Sequence, residues 1–188
     1  TVLDIGSNDG SLLSCYPKWV KRIGFEPADI PQRHFDPWPS ANGDRVTIHK
    51  KFFPDTSVEP IPCRVITSIA QLYNVNDLDA YVAEVKRWLH PEGVFVVQLQ
   101  DLASMLVANS IDNICHEHVT YPNRESLGRL FSRHGLQASY PDYIDVNGGS
   151  IRFAVRHRMR AVECKSVPDY PLTHLLEQFA KRAKEIRE

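Results

Sequence analysis

The strongest indication of the fold in this chain is the stretch Thr1-Val-Leu-Asp-Ile-Gly-Ser-Asn-Asp-Gly10. Its first five residues form a short apolar run that ends at Gly6, which predicts a buried β-strand. The residues that follow predict a tight turn, and then a helix from Ser11 to about residue 20, with Pro17 near its end. Glycines in such a turn let a ligand approach the backbone, and the N–H groups at a helix start favour an anionic group.

The same alternation of strand and helix continues outward from this stretch. Further strands are predicted at 22–25, at 46–48 continuing toward Phe53, at 64–69 and at 94–97. Asp77 is suited to cap a helix that ends at Pro91-Glu-Gly93. The apolar face of that helix comprises Leu78, Tyr81, Val82, Val85 and Leu89.

The second half of the chain predicts helices at about 101–108 and at 126–134, the latter stopped by Gly135. Two final strands, at about 138–146 and 150–157, are joined by the tight-turn signal Asn147-Gly-Gly149. A last helix begins at Pro171. Its apolar stripe comprises Leu172, Leu175, Leu176, Phe179 and Ile186.

Five strand–helix alternations followed by a hairpin predict an α/β fold with a Rossmann-like sheet, mostly parallel with an antiparallel last strand. The 188 residues correspond to about one domain. Because the composition shifts after Arg160, we expect a core domain at 1–160 and a C-terminal helix at 161–188 that docks elsewhere or begins a second unit. The chain starts almost inside a strand, so we expect it to be N-terminally truncated.

Composition and charge exclude several classes of function. Lys and Arg number 22 and Asp and Glu 23, so the net charge is −1. Without a basic excess no nucleic-acid partner is expected. No apolar run approaches the roughly 20 residues of a membrane span, so no membrane partner is expected either. The first residues of this sequence show no basic-then-apolar signal pattern. The oligomeric state is left open.

The cysteines indicate a reducing compartment. They are widely separated and form no C-x-x-C pair, which excludes a disulfide scaffold and argues against a zinc knuckle. Reduced thiols favour a cytoplasmic location. Three of them, Cys15, Cys63 and Cys164, are expected to be buried small residues.

An acidic residue at the end of the second strand is a second indication of a ligand site, beside the turn after the first strand. Glu26 lies 20 residues after Gly6, where a carboxylate can accept hydrogen bonds from two ribose hydroxyls. The turn is neither G-x-G-x-x-G nor a P-loop, which disfavours NAD and ATP. Its D-x-G-x-x-x-G pattern, from Asp4 to Gly10, instead resembles the S-adenosylmethionine site of class I methyltransferases. The alternative is a plain strand–helix turn that needs glycines for steric reasons.

The segment Ile114-Cys-His-Glu-His118 places two imidazoles and a carboxylate within three residues. One interpretation is a general base oriented by Glu117. A second is a metal site, since His116 and His118 would share a face of a strand, although Thr120 excludes the H-E-x-x-H motif. A third is a polar patch without chemistry. Asn147-Gly-Gly-Ser150 is likewise either a simple hairpin turn or a source of backbone donors to a substrate.

Together these segments resemble the S-adenosylmethionine-dependent sugar C-methyltransferases of deoxysugar and surface-polysaccharide pathways. The matching segments are Val2-Leu-Asp-Ile-Gly-Ser-Asn-Asp-Gly-Ser-Leu-Leu13, Ile66-Thr-Ser-Ile-Ala70, Asp112-Asn-Ile-Cys-His-Glu-His118 and Asn147-Gly-Gly-Ser-Ile-Arg152. The resemblance implies the class I methyltransferase sheet and S-adenosylmethionine as cofactor, with no resident metal in this part of the chain. The cofactor site that it implies comprises Asp4, Gly6, Ser7, Asn8, Gly10, Glu26, Ser68, Ile69 and Gln71.

The resemblance also implies a reaction. His118 would act as base, with Glu117 and His116 beside it, and would remove a proton from the carbon next to the keto group of a nucleotide-linked 4-keto sugar. The resulting enolate would attack the cofactor's methyl group. Substrate contacts are expected from Asn74, Tyr121, Asn147, Gly148 and Gly149.

The chain also departs from the family's pattern. Cys115 stands where family members often carry Tyr, Asn74 where some carry His, and the family's N-terminal zinc domain is not in this sequence. The alternatives to sugar C-methylation are an O- or N-methyltransferase acting on another small molecule, and a cofactor-binding fragment without activity of its own.

Overall fold

The computed structural model describes residues 1–31, 45–158 and 172–185. The strands are β1 Val2–Ile5, β2 Arg22–Phe25, β3 Val46–His49, β4 Cys63–Ile69, β5 Leu89–Gln100, β6 Leu136–Ala138, β7 Asp142–Ile144 and β8 Ser150–His157. The helices are α1 Ser11–Ser14, α2 Leu78–Trp88, α3 Leu102–Ala108, α4 Arg124–Arg133 and α5 Leu172–Glu185, with short 3₁₀ turns at Leu72–Asn74 and Ile111–Asn113.

The strands form one sheet in the order β3-β2-β1-β4-β5-β8-β6, and β7 also pairs with β8. Strands β1 to β5 run parallel, whereas β8 runs antiparallel to its neighbours. This confirms the predicted Rossmann-like α/β fold, mostly parallel with an antiparallel last strand. The chain order reverses between β1 and β4, and a crevice at the carboxyl ends of the strands beside such a reversal is the usual ligand site of open α/β sheets.

Helix α2 shows how the sequence builds the layer that covers the sheet. Asp77 caps it as predicted, because its side chain accepts a hydrogen bond from the Ala80 N–H at 2.9 Å. Of the predicted apolar face, Tyr81, Val82 and Val85 are buried and Leu78 is half-buried, whereas Leu89 is buried as the first residue of β5 and not as part of the helix. Edge-to-face ring contacts in this layer join Phe25, Phe53, Tyr81 and Trp88.

Three element boundaries differ from the sequence-based expectations. Helix α1 ends at Ser14 instead of near residue 20, since Pro17 lacks an N–H and restricts the residue before it. Strand β3 ends at His49 and does not continue to Phe53, whose ring is buried in the aromatic layer. Pro91-Glu-Gly93 does not close α2 but lies within β5, where the β4–β5 pairing shifts register.

The predicted final hairpin is confirmed in its second arm and wrong in its first. Residues 138–146 do not form one strand, because Pro141 separates β6 from β7 and both pair with β8. Helix α4 begins at Arg124, two residues earlier than expected, and is capped by Asn123. It stops before Gly135, whose φ of 68° is the left-handed conformation expected after a helix.

Helix α5 packs against α3, where Phe179 contacts a small apolar cluster with Met105 and Leu106. Leu176 of the predicted stripe is instead exposed, whereas Ile186 and the proposed boundary at residue 160 lie outside the described residues. None of the helices described is both long enough and apolar enough to cross a membrane.

The cysteine prediction is confirmed at one of its three positions. Cys63 is buried, and this burial raises the pKa of its thiol to about 12. Cys15 is exposed, contrary to expectation, because α1 ends at Ser14 and leaves it on the surface. Cys164 lies outside the described residues.

Candidate active site

The turn after β1 curls over the end of β2. The Gly6 and Ser7 N–H groups both donate to the Phe25 carbonyl, at 2.9 and 3.1 Å. Gly6, Asn8 and Gly10 have φ angles of 75°, 49° and 84°, a left-handed conformation that glycine adopts most easily. A Cβ at Gly6 would also lie 3.0 Å from Gln71 Cγ. The glycines therefore allow the backbone to turn sharply at the mouth of the crevice.

Glu26 joins this turn to the loop after β2. Its Oε2 accepts from the Asn8 N–H at 3.0 Å, and its Oε1 accepts from the Ala28 N–H at 2.9 Å. Each carboxylate oxygen has a second lone pair, so these two bonds leave acceptor capacity for hydroxyl donors. The carboxylate is thus held in place where the sequence predicts ribose recognition.

Asp4 lies beneath the turn and is buried. Thr67 Oγ1 donates to its Oδ1 at 2.5 Å, across the β1–β4 pair. Burial raises the pKa of Asp4 to about 6, and the hydrogen bond from Thr67 acts in the opposite direction. Its side chain therefore links β1 to β4 just before the turn.

The carboxyl end of β4 completes this half of the crevice. Ser68 is fully buried, and the Tyr81 hydroxyl lies 2.9 Å from Ser68 Oγ and 3.1 Å from Gln71 Oε1. Ile69 is half-buried. Ser7 points toward β2, since a Cβ on Gly24 would lie 2.5 Å from its Oγ, and this oxygen has no hydrogen-bond partner among the described residues. The predicted cofactor residues are therefore brought together at the ends of β1, β2 and β4.

A polar cavity of about 220 Å³ opens beside the end of β4. It is lined by Ala70, Tyr73, Gln98, Leu99, Gln100, Asp112, Asn113, His118, Asn147 and Ser150. Two of the predicted site residues, His118 and Asn147, line it. His116 and Glu117 are exposed and do not line it, so their catalytic roles remain predictions from the sequence.

His118 is held by the loop after β4. The Tyr73 carbonyl accepts from the Val119 and Thr120 N–H groups at 3.0 and 3.2 Å, and the Tyr73 ring lies 4.2 Å from the imidazole, centroid to centroid. The buried Nδ1 of His118 has no hydrogen-bond partner among the residues described. Nor, in the same part of the chain, do three His, Cys, Asp or Glu side chains cluster as a metal site requires. The arrangement presents an imidazole to a polar cavity.

The Asn147-Gly-Gly149 turn closes one side of the cavity. The Asn147 carbonyl accepts from Gln100 Nε2 at 3.2 Å and from Asn113 Nδ2 at 3.3 Å. Asn147, Gly148 and Gly149 have φ angles of 52°, 75° and 106°. A Cβ on Gly148 would lie 2.4 Å from Ser110 Oγ, and one on Gly149 would lie 2.5 Å from Ser104 Cβ. The glycines therefore let the turn pack closely on the 102–113 segment.

Tyr121 and Asn74 lie away from the cavity lining. Tyr121 packs on the α3–α5 cluster, its hydroxyl donates to the Asn113 carbonyl at 3.4 Å, and its ring centroid is 6.1 Å from that of His118. Asn74 is exposed. Their substrate contacts, like those of the two glycines, remain predictions.

Sequence reasoning missed most of the lining. Gln98 and Gln100 carried one available signal, because they are polar residues on alternate positions at the end of an otherwise apolar strand. Asp112 and Asn113 lie on the 3₁₀ turn just before the His-Glu-His segment, and they belong to the stretch from Asp112 to His118 that carries the family resemblance. Ala70 has a φ of 55°, which no sequence pattern indicated.

Comparison with known proteins gives a family match over most of the chain. A family model described as a methyltransferase domain matches residues 1–139. The C-methyltransferase NovU of Streptomyces niveus is 37% identical over 78 residues, which are 42% of this chain and 19% of NovU. The match therefore spans about a fifth of the length of that curated relative.

Solved structures share the fold at low sequence identity. An S-adenosylmethionine-dependent methyltransferase from Mesorhizobium loti has a TM-score of 0.65 at 12% identity, covering 83% of this chain and 90% of that one. The 1,6-didemethyltoxoflavin-N1-methyltransferase of Burkholderia thailandensis, solved with bound 1,6-didemethyltoxoflavin and S-adenosylhomocysteine, has a TM-score of 0.63 at 15% identity, covering 84% of this chain and 71% of that one. These similarities confirm the methyltransferase-type sheet.

Proposed function

The chain belongs to the methyltransferase domain family, and on that premise we propose that it transfers a methyl group to a carbon atom of a nucleotide-linked 4-keto sugar. Its cofactor is S-adenosylmethionine, as the sequence predicted. The carbon specificity and the sugar are supported by the partial similarity to NovU and by the chemistry of the cavity.

The residues at the crevice fit this cofactor. The left-handed turn at Gly6, Asn8 and Gly10 lets a ligand approach the backbone closely, because two of these three residues carry no side chain. Glu26 retains acceptor capacity for the two ribose hydroxyls. When bound, S-adenosylmethionine supplies a methyl group that is activated by its positively charged sulfur.

The proposal depends most on one observation, the position of His118 at a polar cavity that begins where β4 ends. A neutral imidazole there can take the proton from the carbon next to a keto group. The electron pair of the broken C–H bond then forms an enolate, whose carbon is the nucleophile for the methyl group. Holding this carbon in line beside the end of β4 is the main task of the cavity.

The cavity lining favours an uncharged, oxygen-rich part of a substrate, such as the sugar ring of a nucleotide-linked sugar. Four of its side chains are carboxamides, those of Gln98, Gln100, Asn113 and Asn147, and Ser150 adds a hydroxyl. Such groups donate and accept hydrogen bonds, which suits a sugar ring with both carbonyl and hydroxyl oxygens.

The test is methyl transfer followed by NMR of the product. The chain is incubated with S-adenosylmethionine labelled with ¹³C in its methyl group and with a thymidine-diphosphate-linked 4-keto-6-deoxyhexose. We expect a carbon-bonded methyl, a rate about 10²–10⁴-fold lower for His118→Gln, and no change in S-adenosylhomocysteine affinity. His174→Gln, at an exposed position of α5, is the matched control. A methyl on oxygen or nitrogen, or full activity of His118→Gln, would contradict the proposal.

A further inference from the structure

The side chain of Gln98 is a polar group of the cavity to which the reaction above assigns no role. Its backbone is fixed, because it pairs with Ile69 on β4 and Arg152 on β8, and its carbonyl accepts from the Ala70 N–H at 2.8 Å. Gln98 is therefore held between two strands of the sheet, beside the end of β4 where the cavity begins. Its side chain and His118 line the same cavity.

Three of the polar side chains that share the cavity with Gln98, those of Gln100, Asn113 and Ser150, are already hydrogen-bonded within the chain. Gln100 and Asn113 both donate to the Asn147 carbonyl, and Ser150 Oγ donates to the Val146 carbonyl at 2.9 Å. The Gln98 carboxamide, by contrast, makes no side-chain hydrogen bond to any residue that the structure describes. Its N–H donors are available to a ligand in the cavity.

We propose that Gln98 is a catalytic residue that donates a hydrogen bond to the substrate's keto oxygen while His118 removes the proton from the adjacent carbon. This inference rests on the proposed function. The C–H bond breaks and its proton passes to the imidazole of His118. The C–H electron pair becomes the new carbon–carbon π bond, and the carbonyl π pair moves onto the oxygen. Gln98 Nε2–H stabilises that oxygen without transferring its own proton.

A carboxamide has the chemistry that this position needs. The keto oxygen is neutral in the bound substrate and becomes negative in the transition state, so the hydrogen bond strengthens as the reaction proceeds. A Lys or Arg would place a second positive charge close to the positively charged sulfur of the cofactor, which costs Coulomb energy. Asp112, which lines the same cavity, offers only acceptors when ionised.

The experiment measures proton abstraction separately from methyl transfer. The chain, saturated with S-adenosylhomocysteine in D₂O, is mixed with the thymidine-diphosphate-linked 4-keto sugar, and deuterium incorporation next to the keto group is followed by NMR. We expect Gln98→Met to slow this exchange about 10²–10³-fold. Gln98→Glu, which keeps the shape but has no donor when ionised, should slow it at least as much. Gln178→Met on exposed α5 should match the wild type.

A second measurement does not depend on turnover. With a ¹³C-labelled carbonyl in the bound sugar, the infrared stretch should lie at lower frequency on the wild type than on Gln98→Met, because a hydrogen bond weakens the C=O bond. Unchanged S-adenosylhomocysteine affinity shows that the variants are folded.

The possible failures can be told apart. Exchange within about threefold of wild type in Gln98→Met, or an unshifted carbonyl band, would overturn the role of Gln98 alone. A wild-type chain that neither binds the keto sugar nor exchanges its proton would overturn the proposed function, and this inference with it.

Discussion

The buried Asp4 carboxyl makes the free energy of unfolding depend on pH. This residue lies on β1 just before the turn, and burial raises the pKa of its carboxyl from 3.8 to about 6. Below pH 4 both the folded and the unfolded chain hold the proton. Between pH 4 and 6 the unfolded chain loses the proton whereas the folded chain keeps it, so the free energy of unfolding falls as pH rises through this interval. Above pH 6 the loss is complete.

The Asp4→Asn variant should lack this dependence. Its Oδ1 can still accept from Thr67 Oγ1, but the side chain does not titrate. We expect the free energy of unfolding of the variant, relative to wild type, to rise by up to about 3 kcal/mol between pH 4 and 6 and then stay level. Urea denaturation at half-unit pH steps measures this difference. Parallel curves for the two proteins would mean that Asp4 is already ionised in the folded chain at acid pH.

At the level of single elements, the turn between β7 and β8 contains two glycines at which any side chain would clash with a neighbouring residue. Gly148→Ala combines a φ of 75° with a Cβ 2.4 Å from Ser110 Oγ, so we expect a loss of about 2–4 kcal/mol in the free energy of unfolding. Gly128→Ala is the matched control, because it lies inside α4 with nothing within 4 Å of the new Cβ. It should stabilise the chain by about 0.5–1 kcal/mol.

Chemical denaturation of the two alanine variants decides this prediction. Equal effects of the two substitutions, or a neutral Gly148→Ala, would show that the turn is not packed on the 102–113 segment as the structure has it.

The elements that follow strong local signals could be predicted from the sequence. The apolar run before Gly6 and the Asp77 cap fix β1 and the start of α2, because the determining contacts are near in sequence. The start of β5 at Leu89 could not be predicted, since Pro91 and Gly93 signal a loop and only the irregular pairing with β4 keeps them in the sheet. The division of β6 from β7 likewise depends on pairing with β8.

At the scale of the whole molecule, α5 is attached to the sheet domain through α3. An isolated helix of 14 residues is marginal in water, so its order depends on docking. Phe179→Ala should lower the free energy of the local opening of α5 by about 2–4 kcal/mol, because Phe179 is 8% exposed in the shared cluster. Leu176→Ala, at a position 47% exposed, should change it little.

Native-state hydrogen exchange measures the protection of the backbone amides of α5 separately from those of the sheet. We expect faster exchange in α5 and unchanged protection in β1, β4 and β5. Loss of protection across the sheet, or equal effects of the two substitutions, would mean that α5 does not form a separately opening unit.

The candidate site is also a property of the whole molecule. Sequence spacing indicated the turn, Glu26 and the His118 segment, because each carries its chemistry in a few adjacent residues. It could not indicate that Gln98 and His118 line the same cavity, or that His116 and Glu117 do not line it, since these positions depend on strand order and on the Tyr73 contacts.

We propose that the cofactor binds over the turn after β1, within reach of Glu26. Calorimetric titration of the chain with S-adenosylhomocysteine tests it most directly, with Glu26→Gln compared against Glu92→Gln, an exposed carboxylate that pairs with Arg64. We expect one-to-one binding by the wild type and by Glu92→Gln, and binding at least about tenfold weaker for Glu26→Gln, since a lost charged hydrogen-bond acceptor is worth about 1.5–3 kcal/mol. No binding by the wild type, or full affinity in Glu26→Gln, would contradict it.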